Sequence, residues 1–226
     1  MRLLALDSST EACSAALLVG DRLIGRTEEP AGAQAERLLE LIDTVLAEAG
    51  VRPAALDAIA VGIGPGAFTG VRLGVAVAQG LAFGAGVPVV PIVTLEALAW
   101  RGVAGGAVLA CLDARMAEVY WGCYRGDPRR GVAPLGEPRV GPVESVRPES
   151  PVPRRGIGRG FAAYPRLAAL VGVEVAESDA RALPDARDLA RLGALRAAAG
   201  EAIDPAALEP LYVRDKVAAT EAERGV

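Results

Sequence analysis

Short apolar runs broken by glycine alternate with stretches of helical spacing through the first hundred residues. Arg2–Leu6 is apolar and ends in Asp7-Ser8-Ser9-Thr10, and Cys13–Val19 is a second run that Gly20-Asp21 turns into Arg22–Glu29. Two such strands joined by Gly-Asp predict a hairpin, because both residues tolerate the positive φ that a tight turn requires. From Gln34 to Ala49 the apolar positions Leu38, Leu41, Ile42, Val45, Leu46 and Ala49 recur at helical spacing, with Gly50 as the stop. Leu39 widens that stripe beyond one buried face. Asp57–Ile63 reads as a buried strand, broken by Gly64-Pro65-Gly66 and followed by a helix from about Thr69 to Phe83. A short strand over Pro88–Pro91 leads to Thr94, placed to cap a helix over Leu95–Trp100. The order is that of an α/β fold in which helices cover a mixed sheet.

The glycine-rich stretch from Arg101 to Gly106 suits a boundary, and a second set of elements follows. Strands are expected over Val108–Asp113, Glu118–Tyr124 and about Pro134–Val140, with a turn at Gly126-Asp127-Pro128. Residues 141–155 carry several prolines and read as an irregular surface loop. Phe161–Val171 and Asp185–Ala199 read as helices, and Leu211–Arg214 is a last apolar segment before a polar tail. The chain thus divides into a lobe over residues 1–104 and a smaller lobe over residues 105–226, whose C-terminal segment is expected to pack back.

Composition narrows the chemistry. The chain holds 226 residues, ample for a core, with 52% hydrophobic and 23% charged residues. A net charge of −4 with no long basic run makes it a poor candidate for gripping RNA alone. Histidine is absent, which removes the commonest general base and the commonest transition-metal ligand together. Cys13, Cys111 and Cys123 lie far apart in apolar runs and read as buried, reduced thiols. The apolar runs are too short or too polar to span a membrane, and no signal-peptide pattern opens the chain, so a cytoplasmic protein is expected.

Two segments could carry chemistry. Asp7-Ser8-Ser9-Thr10 ends the first strand at a hairpin, where a carboxylate followed by hydroxyls suits Mg²⁺ and a phosphate. A turn whose side chains bond their own backbone is the alternative. The second segment is Gly62 to Gly74, whose glycine-rich strand-to-helix turn offers free N–H groups at a positive helix end. No Lys-Ser/Thr follows it, so it is not a P-loop. In the helix beyond, Gly70, Gly74, Ala78 and Ala82 recur every fourth residue and leave one ridge nearly bare. Val71, Val75 and Phe83 add apolar surface, and only Arg72 and Gln79 are polar between residues 70 and 83. Such a helix needs cover on more than one face. Its own sheet with the helix at 34–49, or a partner chain, could supply it.

Leu3–Thr10, Gly64-Pro-Gly-Ala-Phe-Thr-Gly-Val-Arg-Leu-Gly74, Gly80-Leu-Ala and Thr94–Ala99 resemble the TsaB (YeaZ-type) family, as do Leu112–Tyr120 and Pro210–Arg214. The match runs nearly the whole chain; residues 125–160 contribute nothing to it. The resemblance implies a two-lobed fold of the sugar-kinase/Hsp70/actin (ASKHA) kind. It also implies a partner, the catalytic paralogue TsaD, which attaches a threonylcarbamoyl group to an adenosine beside the tRNA anticodon. A TsaE-type ATPase docks nearby, and tRNA is reached only through the complex. The contact is expected on Leu38, Leu41, Ile42 and Val45 of the first helix. On the second it is expected on Phe68, Gly70, Val71, Arg72, Gly74, Val75, Ala78 and Gln79. Without the partner, the same apolar surface is expected to pair with a second copy.

The resemblance further implies an inert chain that uses no cofactor. Where the catalytic paralogue has an H-x-x-x-H pair holding a metal, this chain has Thr94 and Leu98. The superfamily's second phosphate loop is glycine-rich, whereas Asp113 is followed here by Ala114-Arg115-Met116-Ala117, whose Cβ atoms obstruct a phosphate and whose φ preferences oppose the loop. Asp7, Ser8, Ser9 and Asp113 are therefore read as vestiges. A small kinase of the same fold is the alternative; Gly156–Gly160, its one candidate for an adenosine turn, reads as the cap of the next helix. A metalloprotease lacks its ligands, since no H-E-x-x-H occurs.

Overall fold

A computed structural model describes residues 1–30 and 32–214; the polar tail expected after Arg214 lies outside them. Strands β1 (Arg2–Asp7), β2 (Cys13–Val19) and β3 (Arg22–Glu28) form an antiparallel meander. Helix α1 (Gln34–Ala49) follows and ends as its glycine predicts. Gly50 adopts φ 65°, and Val51 N–H reaches back to the Leu46 carbonyl at 3.0 Å. Strand β4 (Ala58–Gly62), helix α2 (Phe68–Ala85) and strand β5 (Val89–Ile92) complete a sheet ordered β3-β2-β1-β4-β5, with β1, β4 and β5 parallel.

Alternation along β1 decides the layers. Leu4 and Leu6 face α1 and α2, where Leu38, Leu41, Ile42, Val45, Val75 and Ala78 meet them. Leu3 and Ala5 face the opposite side. There they join α3 (Thr94–Trp100) and the far-downstream α7 (Ala186–Ala198), so the second half of the chain supplies a helix to the first sheet. Asp185 caps α7 by accepting the Arg187 N–H at 2.8 Å.

The second sheet holds β6 (Val108–Asp113), β7 (Glu118–Asp127), β8 (Gly131–Pro134), β9 (Arg139–Pro142) and β10 (Arg155–Ile157). Its order is β10-β6-β7-β8, with β9 also pairing β7. Val108, Ala110 and Leu112 share the Leu3 core through α3, while Leu109, Cys111 and Trp121 face Phe161 and Leu167. One core therefore lies between the sheets and welds the lobes. Short helices α4 (Arg159–Ala163), α5 (Leu167–Val171) and α6 (Glu177–Ala180) cover the outer side.

Several expectations need correction, and proline explains two. The strand expected over Pro134–Val140 is two strands, because Pro134 and Pro138 offer no N–H to a continuing ladder. The helix expected over Phe161–Val171 breaks at Tyr164, where the following Pro165 disfavours helical backbone. The expected surface loop at 141–155 buries Val143 and Val146. Gly158 caps α4, as read from the sequence. The three cysteines are free and buried. α2 has 18 residues and is apolar enough to span a membrane by length and composition alone, yet one side of it is packed on β4 and β1.

Candidate functional site

Asp7 ends β1 and is 1% exposed. Its Oδ1 accepts the N–H of Ser9 at 3.1 Å and the Ser9 hydroxyl at 2.9 Å. A Cβ on Gly62 would be driven into Oδ2, so β4 closes the remaining side. Burial pushes this carboxyl up to about 6 against the hydrogen bonds from Ser9. Ser8 donates its hydroxyl to the Gly70 carbonyl at 2.8 Å and is itself buried. The glycine-rich segment is folded around these residues. Side chains on Gly66 or Gly70 would strike the Ser9 and Ser8 carbonyls, and Ala67 N–H donates to the Ser9 carbonyl at 2.7 Å. Close approach of backbone to backbone explains those glycines; the chain itself sits where an anion was expected.

Thr94 belongs to the same assembly, in a role different from the helix cap expected of it. Val93 caps α3, and Thr94 is its first residue. The Thr94 Oγ1 accepts the Gly64 N–H at 3.0 Å while its own N–H donates to the Gly64 carbonyl at 2.8 Å, clamping the loop before α2. Leu98 is fully buried in the core between the sheets.

Asp113 stands at the end of β6, across a cleft from the β1 hairpin. Its Oδ1 accepts the Arg115 N–H at 2.9 Å and the Tyr164 hydroxyl at 3.1 Å. Arg115, Met116 and Ala117 take φ of 61°, 53° and 61°. Their φ preference, expected to oppose such a loop, is overridden, although the Cβ atoms remain. The cleft encloses a cavity of about 390 Å³ walled by Ser9, Thr10, Val71, Leu112, Asp113 and Tyr120 among others; Asp7 is not in the wall. Three guanidinium groups border it, and each is already paired: Arg115 with Asp113 at 3.2 Å, Arg159 with Glu29 at 3.0 Å, and Arg214 with Glu118. Such a cleft offers an incoming phosphate little unspent charge.

The residues expected at a partner surface divide sharply. Leu38, Leu41, Ile42 and Val45 are 0–3% exposed, and Val71, Val75 and Ala78 are 0–4% exposed. Gly70 and Gly74 are buried against Ser8. These nine are buried in the isolated chain, where the bare ridge faces β1 and β4. Gln79 is half-buried and donates to the Pro205 and Leu208 carbonyls at 3.0 and 3.1 Å. Phe68 and Arg72 do stand outside. The outer side of α2 adds Phe83, named from the sequence as apolar surface, and Ala76, Gly80 and Gly84, which spacing did not single out for this side. Exposed acidic residues Glu36, Glu40 and Asp43 flank Leu39 on α1. Tyr164, Tyr212 and Arg214 also border the site and carried no periodic signal.

Comparison with known proteins places this architecture. Residues 28–133 match the family model described as "TsaD: tRNA N6-adenosine threonylcarbamoyltransferase". The Escherichia coli K12 protein named "tRNA threonylcarbamoyladenosine biosynthesis protein TsaB" is 34% identical over 225 residues, covering 96% of each chain. The Haemophilus influenzae protein of that name is 35% identical over 230 residues, covering 96% of this chain and 95% of its own. The solved structure of YeaZ from Pseudomonas aeruginosa is 39% identical and superposes with TM-score 0.82 over 93% of this chain and 99% of that one. Another Pseudomonas aeruginosa structure, described as similar to peptidase YeaZ, gives 0.83 at 39% identity over 94% of this chain and 99% of that one. The fold is accordingly the two-lobed ASKHA kind, and on relatives of this identity and coverage the chain belongs to the TsaB family of tRNA threonylcarbamoyladenosine biosynthesis proteins.

Proposed function

We propose that this chain is a non-catalytic subunit in the synthesis of threonylcarbamoyladenosine in tRNA, docking on a TsaD-type catalytic paralogue through the outer side of α2. The observation that carries the docking is Gly80. It sits in mid-helix, is exposed, and has open space where a Cβ would be. Glycine there costs roughly 1 kcal/mol relative to alanine, and nothing among the described residues requires it. A second helix approaching closely supplies the reason. The reading of no turnover is supported by Asp7 and Asp113, whose Oδ1 atoms accept hydrogen bonds from the chain's own donors. A small-molecule kinase is the weaker reading on the same ground.

On this reading a TsaE-type ATPase joins near the assembled pair, tRNA is met only through the complex, and the chain works in the cytoplasm without a cofactor. Without the catalytic paralogue, the outer side of α2 pairs with a second copy. The experiment is transfer of labelled threonine into tRNA by the paralogue, the carbamoyl-adenylate synthase and the ATPase, with and without this chain. The expected result is strong dependence on the chain and no transfer by the chain alone. Transfer indifferent to its presence refutes the proposal.

A further inference from the structure

We propose that Leu211–Arg214 is a clasp that closes the mouth of the cleft between the two lobes. Within four residues this segment is tied to both lobes. At the first, Leu211 N–H donates to the Ile63 carbonyl at 2.8 Å. The Leu211 carbonyl lies so close to Gly64 that a Cβ there would stand 2.9 Å from it. Tyr212 then lies beside Phe68, ring centroids 5.6 Å apart, and its hydroxyl accepts the Arg72 Nε–H at 2.6 Å. The Arg72 guanidinium is itself stacked 3.6 Å over the Phe68 ring. At the second lobe, Arg214 donates to the Ala114 carbonyl at 3.1 Å and pairs with the Glu118 carboxylate. Both segments of the loop that Arg214 grips flank the left-handed Arg115–Ala117 tip.

The clasp also forms part of the cavity wall, facing Val71 and Leu112, so its departure opens the cleft from its mouth. Its attachments suit release. Tyr212 is 46% exposed, the Arg214–Glu118 pair is reached by solvent, and neither residue belongs to a core cluster. Contacts of that kind hold a segment locally without being needed for global folding.

Hydrogen exchange on the full chain, followed at the Leu211 amide, tests this directly. Spin labels at Ala35→Cys and Met116→Cys, beside cavity-lining Gln34 and Arg115 on opposite lobes, report the opening; the native thiols are buried. The Leu211 amide is expected to be protected in the parent and to exchange at least about tenfold faster in Arg214→Ala and in Tyr212→Ala. The label separation should gain a longer population in both variants with unchanged circular dichroism. A Leu211 amide unprotected in the parent, or unchanged label distances in both folded variants, overturns the clasp.

Discussion

Gly70, Gly74, Ala78 and Ala82 line the inner side of α2, while Ala76, Gly80 and Gly84 line its outer side at the same four-residue spacing. The two ridges are alike in composition and opposite in circumstance. The inner one is seated on Ser8, Leu6 and Val61, where a side chain at Gly70 would collide with backbone. The outer one meets nothing: additional Cβ atoms at Gly80 and Gly84 would enter open space. Bareness on the inner side is thus explained by the fold, and bareness on the outer side, which the described residues do not explain, is what the proposed docking accounts for. Spacing identifies a ridge without saying which way it faces.

The contrast breaks hardest at Val75, which is 4% exposed on the inner side. Val75→Asp puts an unpaired charge against Leu4 and Leu6 and should cost about 3–5 kcal/mol, seen as a collapse of the urea midpoint. Loss of partner binding in that variant would say nothing about an interface. Gly80→Arg is its counterpart. It should leave the isolated chain as stable or up to about 1 kcal/mol more stable, because arginine is the better helix former. The same variant should weaken capture of the catalytic paralogue by about 30-fold or more, near 2 kcal/mol, by blocking the close approach of a second helix. Undiminished capture measured by calorimetry would remove α2 from the docking surface.

A smaller effect is expected at Asp7, beneath the inner ridge, and its sign is fixed by burial. The carboxyl is raised from 3.8 to about 6, so the folded chain favours its protonated form. Stability from that preference is complete below about pH 4 and is lost as the pH rises through about 6. The displacement corresponds to about 3 kcal/mol above pH 6. Asp7→Asn removes the charge but adds an N–H₂ with no acceptor in place, which costs about 1–2 kcal/mol. The variant should therefore gain about 1–2 kcal/mol over the parent at pH 8 and lose about 1–2 kcal/mol to it at pH 4, in paired urea titrations. It should also sustain threonylcarbamoyl transfer, which a nucleotide-handling Asp7 would not.

Much of the architecture was legible in the chain. The Leu38–Leu46 stripe, the Gly50 stop and the Gly20-Asp21 hairpin are local patterns whose physics acts over a few residues. What escaped is non-local. Thr94 reads as a cap because capping is local, yet its hydroxyl is engaged by Gly64, thirty residues earlier. Leu211–Arg214 reads as a last apolar segment of a C-terminal region expected to pack back, and no periodicity announces that it does so on Ile63, Arg72 and Glu118. A partner surface is hard to read from the chain for a related reason. Apolar and small residues on a helix that covers a sheet are mostly those facing the sheet, so the same signal that finds the helix points away from its free side.

Gln79 marks the border between the two sides of α2, and it offers the mildest way to tell them apart. It is one of only two polar residues between positions 70 and 83, and an exposed polar residue on a docking helix would contact the partner. Its amide is turned instead along the chain's own surface, donating to the Pro205 and Leu208 carbonyls. Gln79→Ala leaves two carbonyls to water at a half-buried site and should cost about 1 kcal/mol, a shift of a few degrees in thermal unfolding. Hydrogen exchange should rise over Pro205–Leu208 while affinity for the catalytic paralogue stays within about twofold. An affinity loss as large as that of Gly80→Arg would move the border of the docking surface across Gln79, onto the side of α2 assigned here to the fold.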